Sequence, residues 1–460
     1  MRKSPINLKD GLAKVIMIAL CLVITSCGAK FTPQEKNAII ASISLHQRPI
    51  QKVNQDSLLI PTTYLDSIVA KARIIGVGEA THGTHESDVF NCEIIKHCVQ
   101  HKNCKAICLE SNAYGGKILN HYILGKTDKQ TANLYVGMAQ THPTEPFRAL
   151  IEWLRAYNST QDSAKKVQIY GLGFYVHNYA ASDILDFIRR FDPEYYKSIQ
   201  PRYKVFTEHF DFRFDQHSDN QLLQWSNLAK EVKGYLERNR IRFINEQSVP
   251  SDSLAWIIQI ATILEQDLSR PLEGKDWSNG YSYEIFDKYR DSCMAANAQW
   301  VIERTPITGS VVVWMHNGHI AKRTESLLNT RFQTTYKRTG QYLYEQYGQQ
   351  YCSIGQAFGT GTIRVRNKQG TPTIEAAQPP EDSFESLLLQ TTIPCFIIST
   401  HLLKKDVAFL DTYVPFRMVG VHFTERMAEF TYANIIQEFD ALVFYDKTRA
   451  SKPFKINLVQ

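Results

Sequence analysis

Several signatures of familiar chemistry are missing from this 460-residue chain. There is no Gly-x-Ser-x-Gly, so the strained turn that presents a serine nucleophile above an α/β sheet is excluded. There is no Gly-x-x-x-x-Gly-Lys-Ser/Thr loop to cradle nucleotide phosphates, and no His-Glu-x-x-His helix to hold zinc. No internal repeat and no low-complexity stretch occurs, which argues against solenoids and long disordered linkers. The apolar run at the N-terminus, Val15–Ile24, is half the ~20 residues that a spanning helix needs. Charge of one sign is also scarce. The net charge is +6, and three of those charges come from Arg2, Lys3, Lys9 and Lys14 set against Asp10. No dense basic patch with interleaved aromatics is present, so nucleic acid is excluded as a partner. With 43% hydrophobic and 21% charged residues, the chain has the composition of a soluble globular protein. Its length fits one large domain with an insertion, or two domains.

The first residues form a leader. A basic segment followed by a short apolar core is the pattern of a secretory signal. The core closes on Ile24-Thr25-Ser26-Cys27: a branched apolar residue, two small ones, then cysteine. That is the pattern of a bacterial lipoprotein cleavage site. Residues 1–26 are therefore expected to be a signal peptide, and Cys27 to carry acyl chains, palmitate among them, that hold the protein to a membrane. The expected address is the cell envelope, on the periplasmic side of the outer membrane. Cys92, Cys98, Cys104 and Cys108 cluster with His97 and His101. No Cys-x-x-Cys is present and the spacings match no zinc template. Buried thiols are the first reading; a Cys98–Cys104 disulfide and a metal site are the alternatives in an oxidising compartment.

Residues 27–65 read as a tether and an opening helix, and 66–460 as the functional domain. Ala72–Val77 is a short buried strand, Glu86 to about Gln100 has helical spacing, and Lys105–Leu109 is a second strand. This is a βαβ crossover, which implies parallel strands. Further short apolar strands are expected at 166–170, 309–314, 351–354, 395–398 and 441–445. Thr360–Arg366, with the Pro/Gln-rich residues 372–381, suggests a β-hairpin and loop. Between about 181 and 305 the pattern turns charged and helical. The expected fold class is α/β: a parallel-sheet core with flanking helices and an inserted helical subdomain.

Polar residues gather where strands end. The first strand runs into Gly76-Val-Gly78-Glu79-Ala-Thr-His82-Gly83-Thr-His85-Glu86, the second into Glu110-Ser111-Asn112, and a later one into His316-Asn317-Gly-His319. In parallel α/β sheets the ligand crevice lies beyond the carboxyl ends of the strands. Glu79, His82, Glu110, His316 and His319 are therefore expected at one edge. Imidazoles titrate near neutrality and carboxylates orient them, so this set suits general acid–base work. Plainer roles stay open: Glu79 as a helix cap, His85 and Glu86 as helix-start residues, His316 and His319 as satisfied core groups. A zinc site of His82, His316 and His319 with a carboxylate also stays open. No cofactor is otherwise expected. With no marked serine or cysteine, attack by water on an activated carbonyl is the simpler hydrolytic route.

The blocks Gly78-Glu-Ala-Thr-His82-Gly-Thr84, Leu109-Glu110 and Trp314-Met-His316-Asn-Gly-His319 resemble those of the erythromycin esterase family. Tyr170-Gly-Leu-Gly173, Arg290-Asp291-Ser-Cys-Met294-Ala-Ala-Asn297 and Phe439-Asp440-Ala-Leu-Val-Phe-Tyr-Asp446 extend the resemblance over roughly residues 70–450. It implies an α/β core with helices around a cleft, and opening of macrolide lactones by water without a covalent intermediate, an activity tied to antibiotic resistance. By position, His82 would activate water, Glu79 and Glu110 would orient or polarise the site, and His316 and His319 would stabilise the oxyanion or move protons. Two positions depart from the family's usual pattern: Asn91 stands where Arg is frequent, and Gly173 where Asp is frequent. The expected partner is a small ester or lactone. A non-catalytic glycan- or lipid-binding protein of the envelope, and an exopolysaccharide-processing enzyme, are the alternatives.

Overall fold

The computed structural model describes residues 30–128, 143–175, 177–208, 214–274, 280–323, 337–367, 370–420 and 429–453. The expected signal peptide, residues 1–26, and Cys27 lie outside the described residues.

Thirteen strands occur among the described residues: β1 (Arg48–Pro49), β2 (Gln51–Asn54), β3 (Ser57–Leu59), β4 (Ile74–Val77), β5 (Cys104–Asn112), β6 (Gln168–Gly173), β7 (Ser310–Trp314), β8 (Tyr351–Arg364), β9 (Thr373–Glu375), β10 (Cys395–Ser399), β11 (Val414–Arg417), β12 (Phe430–Ala433) and β13 (Ala441–Thr448). The main sheet runs β1-β10-β13-β8-β4-β7-β5-β6, with β9 paired to β8. Every pairing from β13 through to β6 is parallel; β1, β10 and β9 join antiparallel. The α/β class with a mostly parallel sheet is thus the observed fold.

The central strands are apolar on both faces because both faces are covered. Ile75, Val77, Val312 and Trp314 enter one core layer, and Ile74, Val311 and Val313 the other. A parallel sheet buried on both sides reads as a continuous apolar run for this reason. The helix His85–His101 makes the crossover from β4 to β5 and buries Val89, Phe90, Ile94 and Ile95. Chain order then reverses around β4. It leaves toward β5 and β6 on one side and returns through β7 to β8 on the other, which sets a crevice at the carboxyl ends of β4, β7 and β5.

Between β6 and β7 the described residues from His177 to Arg304 are mostly helical, with a core of their own that includes Ile184, Tyr203, Phe206, Val232, Phe243 and Leu264. Two boundaries differ from the sequence pattern. The segment expected as a tether and opening helix contains the helix, Pro33–His46, closed by a Thr32/Glu35 capping box. From residue 30 on, the segment is no tether: within the helix Ile39 and Ile43 are fully buried, and beyond it β1 pairs with β10 and Leu58 and Ile60 join the core. Apolar residues spaced this sparsely are hard to tell from a linker until the partner strand is seen. Likewise, the two strands expected at 351–354 and 360–366 are one continuous strand, β8, whose end pairs with β9 to form the hairpin. The glycines at 355, 359 and 361 resemble a break, but each faces a close neighbour: Phe439, Leu389 and the Thr448 backbone.

Candidate active site

β4 ends at Val77, and the following loop to Thr84 is held by backbone groups from distant parts of the chain. The Gly78 N–H donates to Ile354 O, Asn317 N–H to Glu79 O, Val419 N–H to Ala80 O and Arg364 N–H to Gly83 O, all at 2.9–3.0 Å. Glycine is required at both ends of the loop. A Cβ at Gly78 would strike the Asn317 side chain, and one at Gly83 would overlap the Arg364 backbone.

The five residues expected to share a site do so, and all are buried. His82 Nδ1 lies 2.6 Å from Glu79 Oε1, and its Nε2 is turned toward Glu110 Oε1 at 3.8 Å. Glu79 is thus a partner of the imidazole and no helix cap: the helix at His85 follows Thr84. Glu110 lies within β5, whose register is irregular between Leu109 and Asn112. Such irregularities re-aim side chains. Its Oε2 accepts the His316 N–H at 2.9 Å, and its Oε1 lies 3.3 Å from His319 Nε2. His82 and His316 have ring centroids 5.3 Å apart.

His316 departs from the role read for it. Its Nδ1 accepts the Gly318 N–H at 3.2 Å, so Nε2 carries the proton and donates to Ala80 O at 3.2 Å. Both ring nitrogens are engaged with the backbone. Burial, followed by the neighbouring His82 charge, pushes its pKa down to about 4, so the ring is neutral at working pH.

Sequence reasoning named the block around Arg290 as part of a resemblance but gave it no place in the site. The helix Gly280–Arg304 delivers it there. Arg290 Nη2 donates to Glu110 Oε1 at 2.8 Å, and Nη1 lies 3.0 Å from His319 Nε2. Asp291, fully buried, accepts from His319 Nδ1 at 2.8 Å and from Thr339 N–H and Oγ1–H. Arg338 pairs with both Asp291 and Asp287. The missed signal was a periodicity: Asp287, Arg290 and Asp291 are spaced i, i+3, i+4 and share one helix face.

The electrostatics separate the three imidazoles. Burial disfavours the charge on His319, but Asp291 and Glu110 outweigh it and raise the pKa to about 9. Burial likewise opposes protonation of His82, but Glu110 and Glu79 raise its pKa above the ordinary imidazole value. Glu110 is held well below the carboxylate range: burial favours its neutral form, yet His319, His82 and Arg290 together prevail.

Asn91 is buried behind the loop. Its Nδ2–H donates to Gly78 O at 3.2 Å, and its Oδ1 accepts from Gln356 at 2.7 Å. Gly173 ends β6, and a Cβ there would lie 3.1 Å from the Ser111 carbonyl oxygen, so a side chain at this position requires a small shift of the neighbouring backbone. Among the described residues, the one group able to bring three ligand atoms to a metal is Asp287, Asp291 and His319. The Arg338 guanidinium already sits on both of these carboxylates, so the group reads as an ion-pair network. The zinc set of His82, His316 and His319 does not form such a group. Cys92, Cys98, Cys104 and Cys108 are buried free thiols, and the Cys98–Cys104 bridge is not formed.

Fold and site together define an α/β protein with a buried histidine–carboxylate centre at the carboxyl edge of a mostly parallel sheet. Imidazoles set between carboxylates are a layout suited to proton transfer. The chain belongs to the erythromycin esterase family, whose model matches residues 99–448. It is 22% identical over 416 residues to YbfO of Bacillus subtilis, a protein named as a hydrolase, covering 87% of this chain and 90% of that one. It is 21% identical to erythromycin esterase type I of Escherichia coli, over 61% of this chain and 69% of the relative. A Bacillus cereus protein structure matches with a TM-score of 0.79 at 24% identity, covering 93% of this chain and all of that one. A mutant of the erythromycin esterase EreC in its open conformation matches with a TM-score of 0.65 at 17% identity, covering 86% and 95%. Family and relatives support a hydrolase. Among the described residues no helix is long and apolar enough to cross a membrane.

Proposed function

We propose that the protein hydrolyses an ester or lactone with water activated by His82. The observation that carries this reading is the line Glu79–His82–Glu110–His319–Asp291, with Arg290 bridging Glu110 and His319. The 2.6 Å contact with Glu79 fixes the His82 proton on Nδ1, so Nε2 is the nitrogen that takes a proton from water. Glu110 holds a negative charge between two imidazoles and so favours the cation that His82 becomes. The tetrahedral oxyanion needs donors. With His316 engaged by the backbone, that role passes to Arg290, whose side chain is 19% exposed. Protonated His319, oriented by Asp291 and with Nε2–H directed to Glu110, is the acid that returns a proton to the leaving alkoxide. Because a guanidinium only donates, Arg290 Nη1 gives up its contact with that nitrogen when the ring is charged and turns to the oxyanion. No covalent intermediate is required: water oxygen bonds the carbonyl carbon, the C–O bond breaks, and the products are an acid and an alcohol.

The substrate is tested by a panel of macrolide lactones, simple esters and acylated sugars offered to residues 28–460, with a chelator in parallel. Turnover of an ester or lactone that is lost in His82→Ala supports the reading. No turnover across the panel, with tight binding of a glycan, favours the binding-protein alternative. Activity lost to chelator and restored by zinc reassigns the histidines to a metal.

We infer further that the protein is exported and anchored through acylated Cys27, on the strength of the Ile24-Thr-Ser-Cys27 pattern. A fatty-acid probe should label the wild type and spare Cys27→Ala; equal labelling of both would refute the anchor.

A further inference from the structure

The His82 loop is pinned from several directions, and one of its supports comes from the far end of the chain. After β13 the backbone passes alongside residues 83–88. Ala450 forms an antiparallel bridge with Thr84, the Ser451 N–H donates to Gly83 O at 2.9 Å, and the His85 N–H donates to Arg449 O at 2.8 Å. Side chains repeat the pairing. Glu86 Oε2 accepts from Thr448 Oγ1 and from Arg449 N–H, both at 2.8 Å, and Glu86 Oε1 accepts from Arg449 Nε at 3.0 Å. Ser451 Oγ donates to Asp88 Oδ2 at 2.6 Å. Glu86, Asp88 and Ser451 are all nearly fully buried.

We propose that residues 448–451 act as a clamp that positions His82, with Ser451 as its principal positioning residue. The Gly83 carbonyl, one peptide from His82, receives both Ser451 N–H and Arg364 N–H. That fixes the plane of the Gly83–Thr84 peptide, the second after His82, while the Gly83 N–H donates to Thr81 Oγ1 at 3.0 Å; together these hold the backbone that sets how the imidazole meets Glu79 and Glu110. Most of the clamp lies outside the span 99–448 that the family model matches: Gly83–Asp88 before it and Arg449–Ser451 after it. Glu86 and Asp88 act through this contact and touch no reacting atom.

The clamp concerns the His82 of the proposed mechanism, but its test reads the imidazole itself, so either idea can fail alone. The charged and titratable groups beside His82 include Glu79, Glu110, His316, His319 and Arg290, with Asp88 acting on Glu79. None of these side chains is altered, and both Ser451 variants equally remove the hydroxyl from Asp88, so their difference isolates the N–H. The His82 ring is titrated by NMR in the wild type, in Ser451→Ala and in Ser451→Pro. The alanine variant keeps the N–H and should titrate nearly as the wild type. Proline removes the N–H to Gly83 O, loosens the Glu79 contact and should lower the His82 pKa toward about 6.5, the ordinary imidazole value. Superimposable curves for wild type and Ser451→Pro overturn the clamp. Should the proline variant not fold, hydrogen exchange on the wild type decides. The Ser451 and His85 amides should be protected as strongly as Arg364, and exchange at the rate of an exposed amide overturns the clamp.

Discussion

The two sides of the site are built on opposite principles. The sheet side, residues 78–84, is a loop held by backbone hydrogen bonds from Asn317, Ile354, Arg364, Val419 and Ser451. The helical side, residues 280–304, presents Asp287, Arg290 and Asp291 on a regular helix and holds them by charge, with Arg338 behind. A loop fixed through its backbone tolerates changes of side chain but not of backbone volume. A helix fixed through ion pairs tolerates neither loss of charge nor an unpaired partner, because a buried charge without its partner costs about 3–5 kcal/mol. The proposed base therefore sits on the part that is geometrically rigid, while the proposed acid, His319, lies just past β7 and takes its electrostatic tuning from Asp291 on the helical side.

The largest break in this comparison is His82→Ala. General-base catalysis is worth about 10²–10⁴-fold, and kcat should fall by that factor with the fold intact. A folded variant keeping more than about a tenth of wild-type kcat would remove His82 from the role. Next comes Gly83→Ala, which touches no ionisable group. Its Cβ meets the Arg364 backbone, which cannot yield, so the loop must move. A misplacement of about 1 Å costs up to ~10²-fold in rate. The expected outcome is a fall in kcat exceeding any loss in thermal stability; unchanged kinetics would show that the loop does not need its backbone geometry.

On the helical side the corresponding change is Asp291→Asn, which keeps the shape and removes the charge. His319 owes its pKa of about 9 chiefly to Asp291 and Glu110 working against burial, so the variant should titrate lower. In the wild type, kcat/KM should rise as His82 deprotonates, through a limb above the ordinary imidazole value of about 6.5, and fall as His319 deprotonates near 9. These limbs belong to the coupled pair. Asp291→Asn should pull the alkaline limb to lower pH and leave the acid limb in place. Stability follows by sign. The raised pKa of His319 contributes stability that is complete below its unfolded value and lost as pH rises through about 9. The depressed pKa of Asp291 contributes stability present at neutral pH and lost in strong acid. A pH profile identical in both proteins would cut Asp291 from the site.

How far the sequence could be read follows the same division. Glu79, His82, Glu110, His316 and His319 were legible because each lies at or just past the end of an apolar strand, and parallel sheets gather such ends. Arg290 and Asp291 were not, because they sit in mid-helix, where charged residues at i, i+3 and i+4 spacing usually mark a solvated face. Nor was the clamp: nothing in Arg449-Ala-Ser451 shows that its backbone will pair with residues 83–85, a contact of very long sequence range. The order of strands in the sheet was likewise beyond periodicity, since β7 enters between β4 and β5 after an insertion of more than a hundred residues.

The smallest expected effect falls on the residue for which the resemblance implied a larger one. A histidine that donates to an oxyanion should cost about 10²–10³-fold when removed. His316 has its Nδ1 taken by Gly318 N–H and its Nε2–H by Ala80 O, and it stays neutral down to about pH 4. Its side chain therefore braces the carbonyl two residues before His82, while the peptide between Met315 and His316 serves Glu110 through the His316 N–H. Gln at this position can still offer an N–H₂ to Ala80 O, although it loses the acceptor for Gly318. His316→Gln should then reduce kcat by less than about tenfold, well short of the loss expected for an oxyanion donor, and should leave both limbs of the pH profile in place. Nitrogen NMR of the wild-type ring supplies the independent check. It should show a neutral Nε2–H tautomer that does not titrate between pH 5 and 9, as burial beside His82 requires. A protonated ring in that range, or a loss in His316→Gln as large as about 10²-fold, would return His316 to the chemistry and leave the oxyanion role divided between it and Arg290.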